Sequence, residues 1–314
     1  MNLNSKIFLA GHKGMIGHSI LNTLKLNGYE KIITRDKKNL NLFNLDEVES
    51  FFKIEKPEYV ILAAGKVGGI LENNLHPFDF LSKNLLIQNN VLMSSIKYDV
   101  RKVIFFGSSC MYPKKSKQPM KEEYLHSGDL EKTSIGYAVA KISGLQFCLT
   151  YNHQFNKNTF LPLIPNSVYG PFDNFDPNTA HVLSSLIEKI HYAKSYNKSE
   201  LLLWGSGNVS REFIFVDDVA EACLFLLKND FTEDLPINIG TGRDVTIKSL
   251  ANIISSIIGY EGKIVWDTSK PDGAKKKLLD SSKILKMGWR PKTSLEDGIL
   301  KTYLWYKKKY YEKK

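Results

Sequence analysis

The stretch Lys6-Ile7-Phe8-Leu9-Ala10-Gly11-His12-Lys13-Gly14-Met15-Ile16-Gly17 decides the fold. Its apolar run stops at Gly11, and from Met15 to Asn27 apolar side chains return at helical spacing, with Ile16, Ile20, Leu21 and Leu24 on one side. The order is strand, tight turn, helix. Gly11, Gly14 and Gly17 form a GxxGxxG turn: glycines permit the tight turn, let backbone approach a pyrophosphate, and let helix pack closely on strand. The first N–H groups of the helix are donors for the anion. Three glycines alone are a modest signal, but a strand before and a helix after favour dinucleotide binding over a plain structural turn.

Outward from this turn the pattern repeats. Lys31 to Thr34, Tyr59 to Ala63, Lys102 to Gly107 and Asn158 to Ile164 read as strands, separated by helical stretches at Leu45 to Glu55, Pro77 to Tyr98 and Ser134 to Phe155. Strands alternating with helices imply parallel βαβ units. After Pro165 the rhythm breaks into loop-rich sequence that includes Asp176-Pro177-Asn178, followed by a helix from about His181 to Ser195. The last third mixes short strands (Leu201 to Trp204, Phe213 to Val216, Ile237 to Ile239) with helices near Val219 to Leu227 and Ile247 to Ile258, and ends in a Lys/Tyr-rich helix. The expected class is α/β: a Rossmann-type doubly wound parallel sheet with a smaller, interleaved α/β substrate-binding domain. Residues 1–165 and about 217–240 are expected to form the dinucleotide-binding domain, and about 166–216 and 241–314 the substrate domain, since sites in open α/β sheets lie beyond the strand ends.

Composition sets the limits. With 314 residues, 43% hydrophobic and 24% charged, the chain is long enough for a sizeable core, and neither disorder nor a disulfide scaffold fits. Cys110, Cys148 and Cys223 form no CxxC pair and have no histidine at metal-ligand spacing, so no metal site is expected. No export signal or membrane-spanning run is visible, and a cytoplasmic protein is expected. The balance of 43 Lys+Arg against 33 Asp+Glu leaves a net charge of +10. That excess suits an anionic partner, but the basic residues are scattered apart from the C-terminal tail and no groove-reading motif is present, so nucleic acid is not expected.

Cofactor choice turns on the end of the second strand, where an acidic residue holds a ribose 2′-OH and a basic one a 2′-phosphate. Here stand Arg35-Asp36, with Lys13 in the glycine turn as a second cation, which favours NADP(H). The chemistry is signalled by Ser108-Ser109-Cys110 at a strand end, followed by Tyr137-Ala138-Val139-Ala140-Lys141. A YxxxK spacing puts both side chains on one helix face. A neighbouring ammonium is expected to lower the Tyr137 pKa, so that the phenol exchanges a proton with a carbonyl or alcohol oxygen during hydride transfer while Ser108 binds the same oxygen. Taken singly, the tyrosine and lysine read as a core residue and a surface residue; in this order behind the glycine turn they read as a site.

Further strings make the match narrower: Ala10 to Gly17, Ala64-Gly65-Lys66-Val67-Gly68-Gly69-Ile70, Gly107-Ser108-Ser109-Cys110-Met111-Tyr112-Pro113, Lys117-Gln118-Pro119-Met120, Gly170-Pro171-Phe172-Asp173-Asn174-Phe175, Trp204-Gly205-Ser206-Gly207, Arg211-Glu212-Phe213, Val216-Asp217-Asp218, and Ser269-Lys270-Pro271-Asp272-Gly273 leading to Lys277-Leu278-Leu279-Asp280. Over nearly its whole length the chain resembles the extended short-chain dehydrogenase/reductase family, and within it the GDP-L-fucose synthase branch, GDP-4-keto-6-deoxy-mannose 3,5-epimerase/4-reductases. The resemblance implies Ser108, Tyr137 and Lys141 for NADPH-dependent reduction at C4, and Cys110 and His181 as base and acid of epimerisation at C3 and C5. It implies cofactor contacts at Gly11, Lys13, Gly14, Met15, Ile16, Gly17, Arg35, Ala64 and Lys141. Contacts to a GDP-4-keto sugar are implied at Ser109, Ser167, Trp204, Arg211 and Lys277, and a homodimer through the helices at Pro77 to Tyr98 and Ser134 to Phe155.

The chain departs from the branch around the sugar pocket. Ser167-Val168-Tyr169-Gly170 stands where an asparagine leads the motif, Ile135-Gly136 replaces Glu-Pro, and Leu183-Ser184-Ser185 replaces Ile-Pro-Ala. A differently polar pocket leaves open an alternative: a C4-reductase for another GDP-4-keto sugar such as a heptose, with weak or no epimerase activity, in surface polysaccharide synthesis.

Overall fold

The computed structural model describes residues 1–176, 179–229, 236–270 and 272–312. Pro177, Asn178 and Pro271, quoted above, and the last two residues of the C-terminal tail lie outside them. The elements run β1 (Ile7–Ala10), α1 (Met15–Leu26), β2 (Ile32–Ile33), α2 (Leu45–Glu55), β3 (Tyr59–Leu62), α3 (Ile70–Leu75), α4 (Pro77–Lys97), β4 (Lys102–Phe106), α5 (Ile135–Phe155), β5 (Phe160–Pro165) and β6 (Ser167–Tyr169). They continue through α6 (Val182–Ser195), β7 (Glu200–Trp204), β8 (Ser210–Phe215), α7 (Val216–Lys228), β9 (Ile237–Ile239), β10 (Asp244–Thr246), α8 (Ile247–Ile258), β11 (Lys263–Asp267), β12 (Lys276–Lys277), α9 (Ser282–Lys286) and α10 (Leu295–Tyr310).

Six strands in the order β2-β1-β3-β4-β5-β9 form one sheet, and every pair in it is parallel. Successive side chains of a strand point to opposite faces, and the cores follow that alternation. Ile7, Leu9, Tyr59 and Ile61 pack with Ile20 and Leu24 of α1 and with Val219, Cys223 and Leu227 of α7. Phe8, Ala10, Val60 and Leu62 pack on the other face with Phe52 of α2, Val91 of α4 and Leu145 of α5. Both faces are thus covered, as an all-parallel sheet requires. The strand order turns back on itself at β1, between β2 and β3, and the glycine turn sits at that crevice.

A second body is built around β8, which pairs with β10 antiparallel and with β6 and β12 in parallel, while β7 and β11 form a separate pair. Its core joins Ile187 and Ile190 of α6, Leu250 and Ile254 of α8, and Ile299 and Tyr303 of α10. Most of the long helices of this body are closed by their own side chains: Thr246 caps α8 at Ser249 and Ser294 caps α10 at Asp297, both at 3.1 Å. Among the helices that lack such a cap are α1, at Gly14, and α6 of this body, at His181.

The strands and helices expected from the sequence are present, with ends shifted by no more than three residues. Beyond these the structure adds β6, in the stretch expected to be loop-rich, and β10, β11, β12, α3 and α9, for which the sequence carries no expectation. Among the described residues no helix is long and apolar enough to cross a membrane.

Candidate active site

The three glycines of the first turn do different work. Gly11 has a φ of +90°, and a Cβ there would stand 2.6 Å from the Ala64 backbone nitrogen, so only glycine fits. A Cβ on Gly17 would run into the Gly11 carbonyl. At Gly14 a Cβ would meet only the Gly11 oxygen at an ordinary 3.5 Å, so this glycine is not demanded by packing. It leaves the uncapped N-terminus of α1 open, beside a cavity of about 430 Å³ lined by Gly11, Lys13, Gly14, Arg35 and Ala64 among others. Met15 and Ile16 form the first helical turn, half-buried, and Ile16 leans on the sheet core.

Asp36 at the cavity rim is bonded by Lys13 Nζ at 2.8 Å and lies 3.3 Å from His12 Nε2; the lysine contact holds its carboxyl below the usual range. Arg35 turns back to pair with Glu55 and to donate to the Thr34 carbonyl at 2.9 Å. The two cations expected to clamp a 2′-phosphate both line the cavity, each paired with a carboxylate. Donors at an open helix end, beside a cavity with two cations on its wall, fit the phosphates of a dinucleotide.

Beyond the end of β4, Ser108 Oγ accepts from the Cys110 N–H at 3.2 Å, starting a turn of 3₁₀ helix over Ser109–Met111. The same hydroxyl hydrogen-bonds Tyr137. Lys141, one turn further along α5, lies 5.9 Å from the Tyr137 ring centroid and 5.0 Å from that of Phe105. It is only 6% exposed, so it is not a surface lysine. Burial lowers its pKa to about 8. The expectation that the ammonium depresses the Tyr137 pKa is corrected: the phenol is pushed up, chiefly by its own desolvation and then by Cys110, and the Ser108 hydrogen bond offsets only part of this. The tyrosine is therefore held in its protonated form.

Cys110 is half-exposed and interacts electrostatically with Tyr137 and with Arg211, which brings the reductive trio, the thiol and a guanidinium into one cluster. Ser109 is buried in the same turn. His181 stands exposed at the N-cap position of α6, and its side chain makes no capping bond. Its approach is guided by the Gly68-Gly69 loop, where Gly69 N–H donates to the Thr179 carbonyl at 2.9 Å and a Cβ on Gly69 would stand 2.8 Å from the Ala180 oxygen.

The expected substrate residues gather on one sheet. Ser167 is opposite Phe213 and Lys277 opposite Arg211 in parallel register, so Ser167, Arg211 and Lys277 share a face of the β6-β8-β12 unit. Arg211 Nη1 is fixed by the carbonyls of Ser210 and Ala274, both at 2.6 Å. Lys276 points elsewhere, to Asp244 at 2.9 Å. Trp204 is 67% exposed at the end of β7, with the ammonium groups of Lys189 and Lys270 at 5.6 and 5.7 Å from its rings. Asn166 does not take the place of the missing amide at 167; its Nδ2 donates to the buried Glu212 at 2.6 Å on the opposite side.

Sequence reasoning missed this Glu212. It also accepts from the N–H groups of Gly242 at 2.7 Å and Leu279 at 2.9 Å, and is fully buried. The available signal was an acidic residue alternating with Ile214 on a core-facing register of β8.

The model of the NAD dependent epimerase/dehydratase family matches residues 7–240. GDP-L-fucose synthase 1 of Arabidopsis thaliana is 46% identical over 305 residues, which span 97% of this chain and 94% of the relative. Among solved structures, a GDP-6-OMe-4-keto-L-xylo-heptose reductase from Campylobacter jejuni superposes with a TM-score of 0.91 at 38% identity, covering 98% of this chain and 99% of that one. A GDP-mannoheptose C4 reductase from the same organism, solved with NADP bound, gives a TM-score of 0.90 at 40% identity over 98% and 99% of the two chains. The glycine turn at the strand switch, the buried Ser-Tyr-Lys group and these full-length matches agree: the chain belongs to the NAD dependent epimerase/dehydratase family, in the branch of the GDP-L-fucose synthases.

Proposed function

We propose that the protein is an NADPH-dependent enzyme that reduces C4 of a GDP-4-keto sugar and epimerises C3 and C5. The observation that carries this reading is the convergence of Ser108, Tyr137, Cys110 and Arg211 in one cluster with Lys141 buried behind it. A nicotinamide dinucleotide held at the glycine turn by Gly11, Gly14 and the N-terminus of α1 would supply hydride to C4. Tyr137, kept protonated by burial, donates its O–H proton to the oxygen at C4, and Ser108 hydrogen-bonds that oxygen. Lys13 and Arg35 are the cations available to a 2′-phosphate, and Gly14 leaves the α1 terminus open to the pyrophosphate. The similar GDP-mannoheptose C4 reductase solved with NADP bound supports the choice of cofactor.

The 4-keto group acidifies the C–H bonds at C3 and C5. The Cys110 thiolate takes a proton from one face, and His181 returns one to the other, which inverts the centre. Arg211 and Lys277, side by side in register, offer a planar fork and a point charge to the sugar diphosphate, and the exposed ring of Trp204 offers a stacking face to the base. Ser109, beside Cys110, and Ser167, on the face it shares with Arg211, are the hydroxyls proposed to contact the sugar.

A second reading has a specific observation behind it. Ser167 brings a hydroxyl to the face it shares with Arg211, while Asn166 is turned away to Glu212, and two solved neighbours are named as heptose reductases. A C4-reductase of a GDP-4-keto-heptose with little epimerase activity suits that pocket. Turnover of a panel of GDP-4-keto-hexoses and heptoses with NADPH in deuterium oxide separates the two. NADPH consumption with deuterium at C3 and C5 supports the bifunctional reading, whereas consumption with neither position labelled overturns it in favour of the second.

A further inference from the structure

After β6, residues 170–176 are held in place by aromatic packing. Phe172, at a φ of +68°, stacks on His18 of α1 with centroids 3.6 Å apart and packs against Trp305 of α10 at 4.8 Å. Phe175 is buried against Trp305 and Tyr306 at 6.0 and 4.7 Å. Asp173 lies between these two anchors, so its carboxylate is presented by a loop fastened on both sides. One oxygen accepts the Asn174 N–H at 2.8 Å. The other accepts the hydroxyl of Ser184, which is fully buried in the first turn of α6. Ser184 stands three residues beyond His181, on the same helix face. The carboxyl is thus docked onto the uncapped end of α6 that His181 begins; burial pushes its pKa up, and the Ser184 hydroxyl and then the His181 imidazole act against this, favouring the charged form.

We propose that Asp173, locked by Ser184, is the positioning residue for His181: it fixes the orientation of the imidazole and supplies the counter-charge when the ring carries the proton it delivers to C3 or C5. The inference rests on the epimerase reading above. The step it serves is a simple proton exchange. The C–H proton passes to the Cys110 thiolate, the electron pair is held by the 4-keto oxygen, and an N–H proton of the His181 imidazolium forms the new C–H bond on the opposite face. The enzyme is left with a thiol and a neutral imidazole, which solvent resets. A carboxylate beside the imidazole matters only to the second half of this exchange. It does not contact Cys110, Tyr137 or Ser108 in any hydrogen bond of the structure.

That asymmetry provides the test. In deuterium oxide without NADPH, Cys110 acting alone exchanges its proton with solvent and returns deuterium to the same face, giving labelled but uninverted sugar; delivery by His181 gives labelled and inverted sugar. NMR of the recovered GDP-4-keto sugar reads the ratio of the two. Asp173→Asn is expected to raise the uninverted-to-inverted ratio at least tenfold, and Ser184→Ala two- to fivefold, with GDP affinity within twofold of the unaltered protein. A loop that mattered only to folding would depress both labelled products together, and that result, or an unchanged ratio, overturns the proposal. Absence of any label from the unaltered protein overturns the epimerase reading itself and the proposal with it, so the two failures are distinguishable.

Discussion

Lys141 shows how much a single side chain can cost the fold in order to serve chemistry. Its folded pKa of about 8 lies below the ordinary 10.5 because the ammonium is desolvated. Between those two values the unfolded chain holds a proton that the folded chain does not, so stability rises with pH across that window, and below pH 8 the whole penalty is present. Lys141→Met is therefore expected to stabilise the cofactor-free protein at pH 7, by on the order of 2 kcal/mol. That advantage should fade as pH climbs from 8 toward 10.5. The same variant should lose at least a hundredfold in C4 reduction. Denaturant titrations at pH 7 and pH 10, alongside NADPH oxidation, check both halves, and a variant less stable at pH 7 would refute the desolvation argument. The correction at Tyr137 belongs to the same balance: burial outweighs the single hydrogen bond from Ser108, and the phenol stays protonated. Spacing along a helix reveals that a tyrosine and a lysine are neighbours. It carries no information on how much water is removed from them.

At the scale of elements, the glycine turn and the β8 hub make separate demands. Gly17→Ala drives a methyl into the Gly11 carbonyl and should destabilise the protein as well as abolish NADPH binding. Gly14→Ala meets only an ordinary 3.5 Å contact, so melting should move by no more than about two degrees while NADPH affinity falls at least tenfold. Equal thermal losses in the two variants would contradict the assignment of Gly14 to the ligand. Glu212 ties the residue before β6, the end of β12 and the turn before β10 into one buried set of hydrogen bonds. Glu212→Ala strands those donors, each unmet group costing about 1–3 kcal/mol. Loosening β6 and β12 around Arg211 should raise the KM for the GDP-sugar at least tenfold and leave the Kd for NADPH within threefold, readable by steady-state kinetics and calorimetry. The parallel sheet was legible because its strands are apolar runs between long periodic helices. The short strands β6, β10 and β12 were not, since two or three residues carry no periodicity and their pairing depends on Glu212, distant from all three in sequence. Arg211 and Lys277 could be named from motif, yet only the register shows them adjacent on one face.

For the whole molecule, the net charge of +10 is sharpened by position: Lys13 and Arg35 stand at the dinucleotide cavity, and Arg211 and Lys277 on the β8 face. Apolar surface raises the last question. α4 and α5 pack so closely that a Cβ on Gly136 would strike the Pro77 backbone, and Gln88 donates to the Ala140 carbonyl at 2.8 Å. That contact buries one side of each helix and leaves Leu86 and Met93 of α4 exposed, with Ile135 and Val139 of α5. The pairs are seven and four residues apart, spacings that keep each pair on one side of its helix. We propose that a second copy of the chain covers this surface in a four-helix contact, as apolar patches of this kind mark association surfaces. Tyr137 and Lys141 stand on α5 beside this surface, but each copy carries its own pair, so separating the copies should not remove any catalytic group. Leu86→Glu combined with Met93→Glu is expected to shift the mass by light scattering from two chains to one, while NADPH affinity stays within threefold of the unaltered protein. Unaltered protein with the mass of a single chain at micromolar concentration would refute the interface, and a double variant that remains dimeric would move it elsewhere on the molecule.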